Sequence, residues 1–356
     1  MRLWRVIVKI TVLAYLEDGT NEPDIAIQQV SAVLESTGHK VSLLAVHDDV
    51  DALVTGLKKN KPELVFNLLE SFGKDIIGGQ MGVAGILDLL ELPYTGSGPG
   101  ELYLQEDKAL GKKLLAYEQI SFPDFAMFAP SADFETSGKL RMPLFVKPLR
   151  MDASLGIDEK SLVHNMQELM ERVVSIHKSF GDAALAEEYI EGREVYVGVL
   201  GNHQPVAFPA IEMDFSGLPE GSLAVMDNKA KFDEGSDRFQ GTRAVLAKLE
   251  PELKAKVEKT ALAAYRTLRV RDYGRIDLRI NESNEIYVIE ANANCYLEQT
   301  SEFATAAAAH GIEYPDLINQ IAEHALERHK QRSTSAKKRR RTAAKAAREA
   351  AAPALK

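Results

Sequence analysis

The chain has 356 residues, 45% of them hydrophobic, and a formal net charge of −9, which suits two or three packed lobes better than one small core. No run approaches the roughly 20 apolar residues that span a bilayer, so no membrane partner is expected; the single cysteine, Cys295, excludes an intrachain disulfide and fits a reducing, cytoplasmic setting. Charge is unevenly placed: from Arg328 to Lys356 eleven Lys and Arg stand against Glu349 alone, leaving 32 basic and 51 acidic residues in the remainder. An acidic body argues against nucleic acid as the main partner, although the basic tail suits contact with polyanions.

In chain order, the apolar stretch of "MRLWRVIVKITVLAYLEDG" is interrupted by Lys9 and followed by no small-residue cleavage site, so it reads as a first strand and not a signal peptide. "DIAIQQVSAVLESTGHK" then carries Ile25, Ile27, Val30, Val33 and Leu34 at helical spacing, with Gly38 as a stop. "VSLLAV" and "ELVFNLL" read as strands and "GGQMGVAGILDLLEL" as a helix ahead of "PYTGSG". This alternation predicts a small α/β lobe with a parallel sheet over residues 1–104. A second lobe, 105–190, holds the helix "EDKALGKKLLAYEQI", the stretch "MPLFVKPLRMDASLGI", a helix around 161–179 and "AALAEEYIEG". A third, 191–328, carries "EVYVGVLGN", "PVAFPAIEM", a polar segment from Asn228 to Gln240 and a helix over about 250–268. Two strands, "YGRIDLRIN" and "EIYVIEANAN", follow across the turn-prone "NESNE", and the helix "YPDLINQIAEHALERH" closes the lobe. The tail, 329–356, has no apolar face to bury and reads as a solvated, disordered or partly helical extension. No repeat of fixed period is present.

Three stretches carry chemistry. Arg275 and Asp277 lie two apart in "GRIDLRI" and share a strand face, as do Glu290 and Asn292 in "VIEANAN". Folded as a hairpin, these strands would gather Asp277, Glu290 and Asn292 into an all-oxygen cluster suited to Mg²⁺; the same alternation also describes a hairpin with one wet face. In "LFVKPLRMDASLGI", Lys147 ends an apolar strand as either a snorkelling charge or a ligand. The loop after it, through Ser154, Leu155 and Gly156, offers a hydroxyl and backbone N–H groups to phosphate oxygens, but matches neither standard glycine-rich phosphate motif. In "LAEEYIEGREVYV", extended backbone at residues 188–190 suits an adenine edge, with Glu187 or Glu194 accepting from amino or ribose hydroxyl groups; taken alone it is an ordinary acidic linker.

Together and in this order, "ELVFNLLES", "GGQMGVAGILDLLELPYTGSG", "EDK", "FVKP", "EEYIEGRE", "NKAKF", "YGRIDL" and "IEANAN" resemble the ATP-grasp superfamily and, within it, the D-alanine–D-alanine ligase family. The resemblance runs from about residue 8 to about residue 325 and leaves only the tail outside. It implies an α/β (α+β) ATP-grasp fold of three lobes, with the central and C-terminal lobes sandwiching ATP. It further implies that Lys108 and Lys147 hold the ATP phosphates, that Ser154, Leu155 and Gly156 form the loop closing over the γ-phosphate, and that Lys231 sits on a mobile lid. Glu187 matches the acceptor of the adenine amino group, Ile190 the backbone hinge and Glu194 the ribose ligand. Asp277, Glu290 and Asn292 match the ligands of two Mg²⁺ ions, with Mn²⁺ as the alternative metal. Arg275 matches the arginine that steadies the acyl phosphate and the tetrahedral intermediate. The implied activity is an ATP-dependent carboxylate–amine ligase, and family members are commonly homodimers.

The departures fall at the substrate end. The family's glycine-rich start after the first strand is here "YLEDGTNEPD", its HG-x-x-GEDG run is "ESFGKDIIGG", and its N-T-S-P-G-M-T-x-x-S is "NANCYLEQTS". Tyr296 stands where glycine allows close backbone approach. The expected substrates are therefore an amino acid or small peptide and an amine, but not two D-alanines, with Glu22, Asp24, Glu70, Asn294, Tyr296 and Ser301 as candidate contacts. The alternatives are a ligase of specialised metabolism with a non-amino-acid acceptor and a nucleotide-binding protein without ligase activity. A pure binder has no need of Arg275 beside a full metal set.

Overall fold

A computed structural model of the protein describes residues 7–16, 23–73, 76–131, 133–136, 138–151 and 154–351. The chain first builds β1 (Lys9–Tyr15), α1 (Ile25–Ser36), β2 (Lys40–Val46), α2 (Val50–Asn60), β3 (Leu64–Asn67) and α3 (Ile76–Leu89). The strands form a parallel sheet in the order β2-β1-β3. β1 buries Ile10 through Ala14 without alternation, as a central parallel strand covered on both faces must. Asp24 caps α1 by accepting from the Ala26 N–H at 2.8 Å. Ile27, Val30 and Leu34 face the core as the spacing predicts, but Ile25 is exposed because it lies in the first turn, rotated off the buried stripe.

After α4 (Pro99–Glu106) and α5 (Lys108–Tyr117) comes an antiparallel sheet of β4 (Phe125–Phe128), β5 (Phe134–Thr136), β6 (Leu144–Pro148), β7 (Leu162–Val163) and β8 (Ala184–Glu188), ordered β5-β4-β8-β6-β7. α6 (Met166–Phe180) lays Leu169, Val173 and Ile176 on this sheet, capped by Asn165 and stopped by Gly181 at φ +63°.

The third sheet holds β9 (Arg193–Leu200), β10 (Val206–Ala207), β11 (Ile211–Asp214), β12 (Arg243–Leu246), β13 (Tyr273–Ile280) and β14 (Ile286–Ala293), in the order β12-β11-β9-β13-β14 with β10 beside β9. Within the polar segment 228–240 the chain forms two short helices, α7 (Asn228–Phe232) and α8 (Asp237–Gly241). α9 (Pro251–Thr267) covers one face of the sheet; α10 (Glu302–Ala309), which the alanine-rich sequence did not announce, and α11 (Tyr314–Ala351) pack with the other. Where composition suggested a disordered or partly helical tail, the backbone continues as helix to Ala351, in keeping with the helix propensity of Ala, Lys and Arg.

The cores are not shared equally. Residues of the first and third sheets interleave in two common clusters, whereas β6, β8 and α6 enclose a cluster of their own. Asp272 ties the first group together. Fully buried and at φ +64°, it accepts from Arg328 at 2.9 and 2.7 Å, from Asn202 Nδ2 at 2.9 Å and from the Gly96 N–H at 2.9 Å. Removing it takes the carboxylate partner from the largely buried Arg328 guanidinium and leaves the Gly96 N–H unpaired, so Asp272→Ala is expected to lower unfolding stability by about 3–5 kcal/mol in urea titrations. Lys113→Ala, at the exposed Lys113–Glu135 pair, is expected to change it by less than about 1 kcal/mol.

Candidate active site

The site lies where the central sheet faces the third. β13 and β14 pair in register from Ile280↔Ile286 to Leu278↔Val288, then slip by one residue so that Asp277 faces Glu290 and Arg275 faces Asn292. Ile289 is the extra residue of a β-bulge. Residues directly opposite in an antiparallel pair project from one face, so the slip puts Glu290 and Asn292 beside Asp277. With unbroken register Ile289 would oppose Asp277 and Glu290 would turn to the other face. Arg275 forks onto Asp277, Nε to Oδ1 at 2.7 Å and Nη2 to Oδ2 at 2.9 Å, and Asn292 Nδ2 donates to Oδ2 at 3.0 Å. The guanidinium also stacks 4.4 Å from the Tyr196 ring centroid and lies 3.5 Å from Glu302 Oε2.

Opposite, β6 and β8 set Lys147 and Glu187 side by side, with Nζ to Oε2 at 2.9 Å. Glu187 Oε1 meets a second buried ammonium, Lys112, at 2.7 Å. Lys112 lies one turn after Lys108 on α5, so both project from one helix face; Lys108 Nζ donates to the Met151 carbonyl at 2.9 Å. Between the sheets runs a cleft open to solvent, lined by Lys147, Glu187, Glu194, Lys231, Asp277 and Glu290, with Ile190, Phe145, Ile157, Val225, Met226, Leu278 and Ile289 among its walls. Glu194 accepts from Tyr196 Oη at 2.7 Å and pairs with Arg279 at 3.0 Å. Ser154, at φ +57°, lines the cleft and donates to the Met226 carbonyl at 2.9 Å. Leu155 is exposed; Gly156, at φ +74°, packs so closely that a Cβ would lie 2.7 Å from Pro148 and 2.8 Å from Phe180.

The charges explain one another. Burial would raise the Glu290 carboxyl, but Lys108, Lys147, Lys231 and Arg275 outweigh it and hold the group at about 2. Burial likewise opposes ionisation of Glu187, yet Lys112 and Lys147 bring it below the usual range. Burial raises Asp277 despite Arg275, and pushes the Cys295 thiol up to about 12, which leaves it an inert core group. Among the described residues no three His, Cys, Asp or Glu side chains gather at metal-binding spacing. The cluster is two carboxylates and an amide, a hard-oxygen set that fits Mg²⁺ when phosphate and water complete the shell.

The candidate substrate contacts are placed differently. Asp24 Oδ1, besides capping α1, accepts from Tyr296 Oη at 2.8 Å, and burial with that bond raises the phenol. Asn294, at φ +64°, accepts from the Ser97 N–H at 2.7 Å, and a Cβ on Gly96 would fall 2.0 Å from its Oδ1. Ser301 is buried as the N-cap of α10. Glu70 is exposed, its carbonyl accepting from Gln80. Glu22 lies outside the described residues. Lys112, Tyr196, Arg279 and Glu302 join the constellation without having been singled out in the sequence; the only signal was the i, i+4 spacing of Lys108 and Lys112 on a predicted helix.

Residues 108–323 match the family described as D-ala D-ala ligase C-terminus. The chain is 32% identical over 305 residues to a D-alanine–D-alanine ligase of Desulforudis audaxviator, covering 84% of this chain and 92% of that one. It is also 32% identical over 311 residues to the uncharacterized protein y4sG of Sinorhizobium fredii, covering 84% and 87%. Among solved structures it resembles an ATP complex of D-alanine–D-alanine ligase from Bacillus anthracis, with a TM-score of 0.72, 24% identity and coverage of 91% of this chain and 99% of that one.

Because the folded Glu290 carboxyl is held at about 2, below its ordinary 4.5, the stabilisation it brings is complete above pH 4.5 and is lost as pH falls towards 2. The difference in urea midpoint between the parent and Glu290→Gln is therefore expected to shift against the parent as pH falls below 4.5. An unchanged difference between pH 5.5 and 3 would contradict this charge balance.

Proposed function

The chain belongs to the D-alanine–D-alanine ligase family of ATP-grasp enzymes, ATP-dependent ligases that form C–N bonds, and from that premise we propose that it joins an amino-acid or small-peptide carboxylate to an amine other than D-alanine. The observation that carries the reading is a single cleft in which Lys147, Glu187, Glu194, Lys231, Asp277 and Glu290 converge from two sheets and a short helix. The apolar walls suit a purine ring; Glu187 accepts from its amino group and Glu194 from the ribose. Lys108, Lys147 and the Ser154–Gly156 loop receive the phosphates, and Lys231 of α7 lies over them. Asp277, Glu290 and Asn292 would hold Mg²⁺, two ions in the fullest form, which when bound neutralises charge on the phosphates.

A carboxylate is a poor electrophile. One of its oxygens attacks the γ-phosphorus as the bond to ADP breaks, giving an acyl phosphate. The amine nitrogen then attacks the carbonyl carbon, phosphate departs with the C–O electron pair, and the amine proton passes to phosphate or solvent. Arg275 is pre-oriented for the oxyanion of the second step, since its fork to Asp277 and its stacking on Tyr196 restrict it before any substrate arrives. Water must be kept from the acyl phosphate, and the hydrogen bond of Ser154 to Met226 supports a cover formed by two converging segments.

Tyr296 supports an acceptor other than D-alanine. Its ring stands where the family has glycine, and its hydroxyl is committed to Asp24 across the boundary between the first and third lobes. Protomer pairing through the N-terminal lobe belongs to this reading too, as does a cytoplasmic setting.

ATP-dependent phosphate release, assayed against a panel of D- and L-amino acids, dipeptides and amines, is expected to require a mixed carboxylate–amine pair. Full turnover with D-alanine alone would overturn the acceptor assignment, and stimulation by no pair would overturn the ligase. Arg275→Ala is expected to lower kcat by at least about 100-fold, with the ATP dissociation constant changed by less than about threefold.

A further inference from the structure

Lys112 is not among the residues that the family resemblance picked out, yet it touches both halves of the site. Its side chain is 2% exposed, and its ammonium forms an ion pair with Glu187 Oε1 at 2.7 Å and donates to the Ile289 carbonyl at 3.0 Å. The second contact falls on the bulge itself. Ile289 is the residue that drops out of the β13–β14 register, so its carbonyl needs a partner outside that pairing. On its other side, the Val288 N–H is taken by the Ser121 carbonyl at 2.8 Å, just beyond the end of α5. The slip at Ile289 decides that Glu290 shares a face with Asp277. The carboxylate of Glu187, on the facing wall of the same cleft, is held in place by Lys112 and Lys147 together.

We propose that Lys112 is a positioning residue that couples nucleobase recognition to the metal end of the cleft, one buried ammonium orienting Glu187 for the adenine amino group and bracing the bulge that seats Glu290. This rests on the reading of Glu187 as the adenine acceptor and of Glu290 as a metal ligand. An ammonium suits the task because it donates three bonds from one point, and full burial makes loss of its charge costly to the carboxylate left behind. Burial lowers the proton affinity of Lys112 and Glu187 restores part of it, so the pair is mutually dependent.

The test uses equilibrium binding as well as turnover. Calorimetry compares ATP with purine riboside triphosphate, which lacks the 6-amino group, and electron paramagnetic resonance follows Mn²⁺ binding in the presence of ADP. In Lys112→Met the preference for ATP is expected to fall to near unity and Mn²⁺ to bind roughly tenfold more weakly. Lys112→Gln keeps a donor for the Ile289 carbonyl but loses the charge facing Glu187. It is expected to lose the base preference while holding Mn²⁺ within about twofold of the parent. A merely structural lysine would weaken both nucleotides by one factor, and that result overturns the proposal. Should the parent itself not distinguish the two nucleotides, the adenine role of Glu187 fails, and Mn²⁺ affinity alone decides: unchanged in Lys112→Met, it overturns the bracing of the bulge. If Lys112→Met does not fold, Lys112→Gln with its base preference intact overturns the coupling.

Discussion

A single slipped residue between β13 and β14 organises this site. Up to Leu278↔Val288 the hairpin follows one register; from Asp277↔Glu290 it follows another, and Ile289 absorbs the difference. Side-chain parity along a strand is strict, so the slip converts two carboxylates that would face opposite sides of the sheet into neighbours. The charged cluster around Asp277 depends on it. Arg275 and Asn292 fall opposite each other and both reach Asp277, and Glu290 faces the lysines that keep it ionised. Bulges lie off the regular ladder and need outside partners, which here are Lys112 and the backbone at Ser121.

Concentrating so much charge at low exposure is tolerated because each group is opposed. Glu187 sits between two ammoniums, Asp277 within a guanidinium fork, Glu194 between Arg279 and Tyr196. Removing water from ions costs several kcal/mol each unless partners of opposite sign replace it, and the ring of mutual pairs meets that requirement before a nucleotide arrives. The division of the cores fits such a site. The first and third sheets share clusters and are pinned by Asp272, whereas β6, β8 and α6 carry their own core. The cleft opens between the third sheet and a central sheet that packs α6 on one side and α5 on the other.

The residues after Ala293 make different contacts. Tyr296 and Asp24 close a hydrogen bond between residues 272 positions apart, and Asn294 locks the Gly96–Ser97 backbone from across the same boundary. Ser301 and Asp24 serve as helix caps. Residues that look in sequence like one polar run thus divide at Ala293: Glu290 lines the cleft and Asn292 reaches Asp277, whereas Asn294 and Tyr296 join the lobes.

The sequence by itself determined the parallel first lobe, through unbroken apolar strands alternating with amphipathic helices, and the strand pair with its alternating polar residues. It also carried the order of motifs that marks the family, because local propensity, strand parity and spacing are readable along a chain. What only the tertiary structure decided is the bulge at Ile289, the burial of Lys112 against Glu187, the helical continuation to Ala351 and the pairing of Tyr296 with Asp24. Register and long-range ion pairing have no local signature. A one-residue slip is fixed by packing and by the partner that its orphaned carbonyl finds, and that partner lies 177 residues away in the chain.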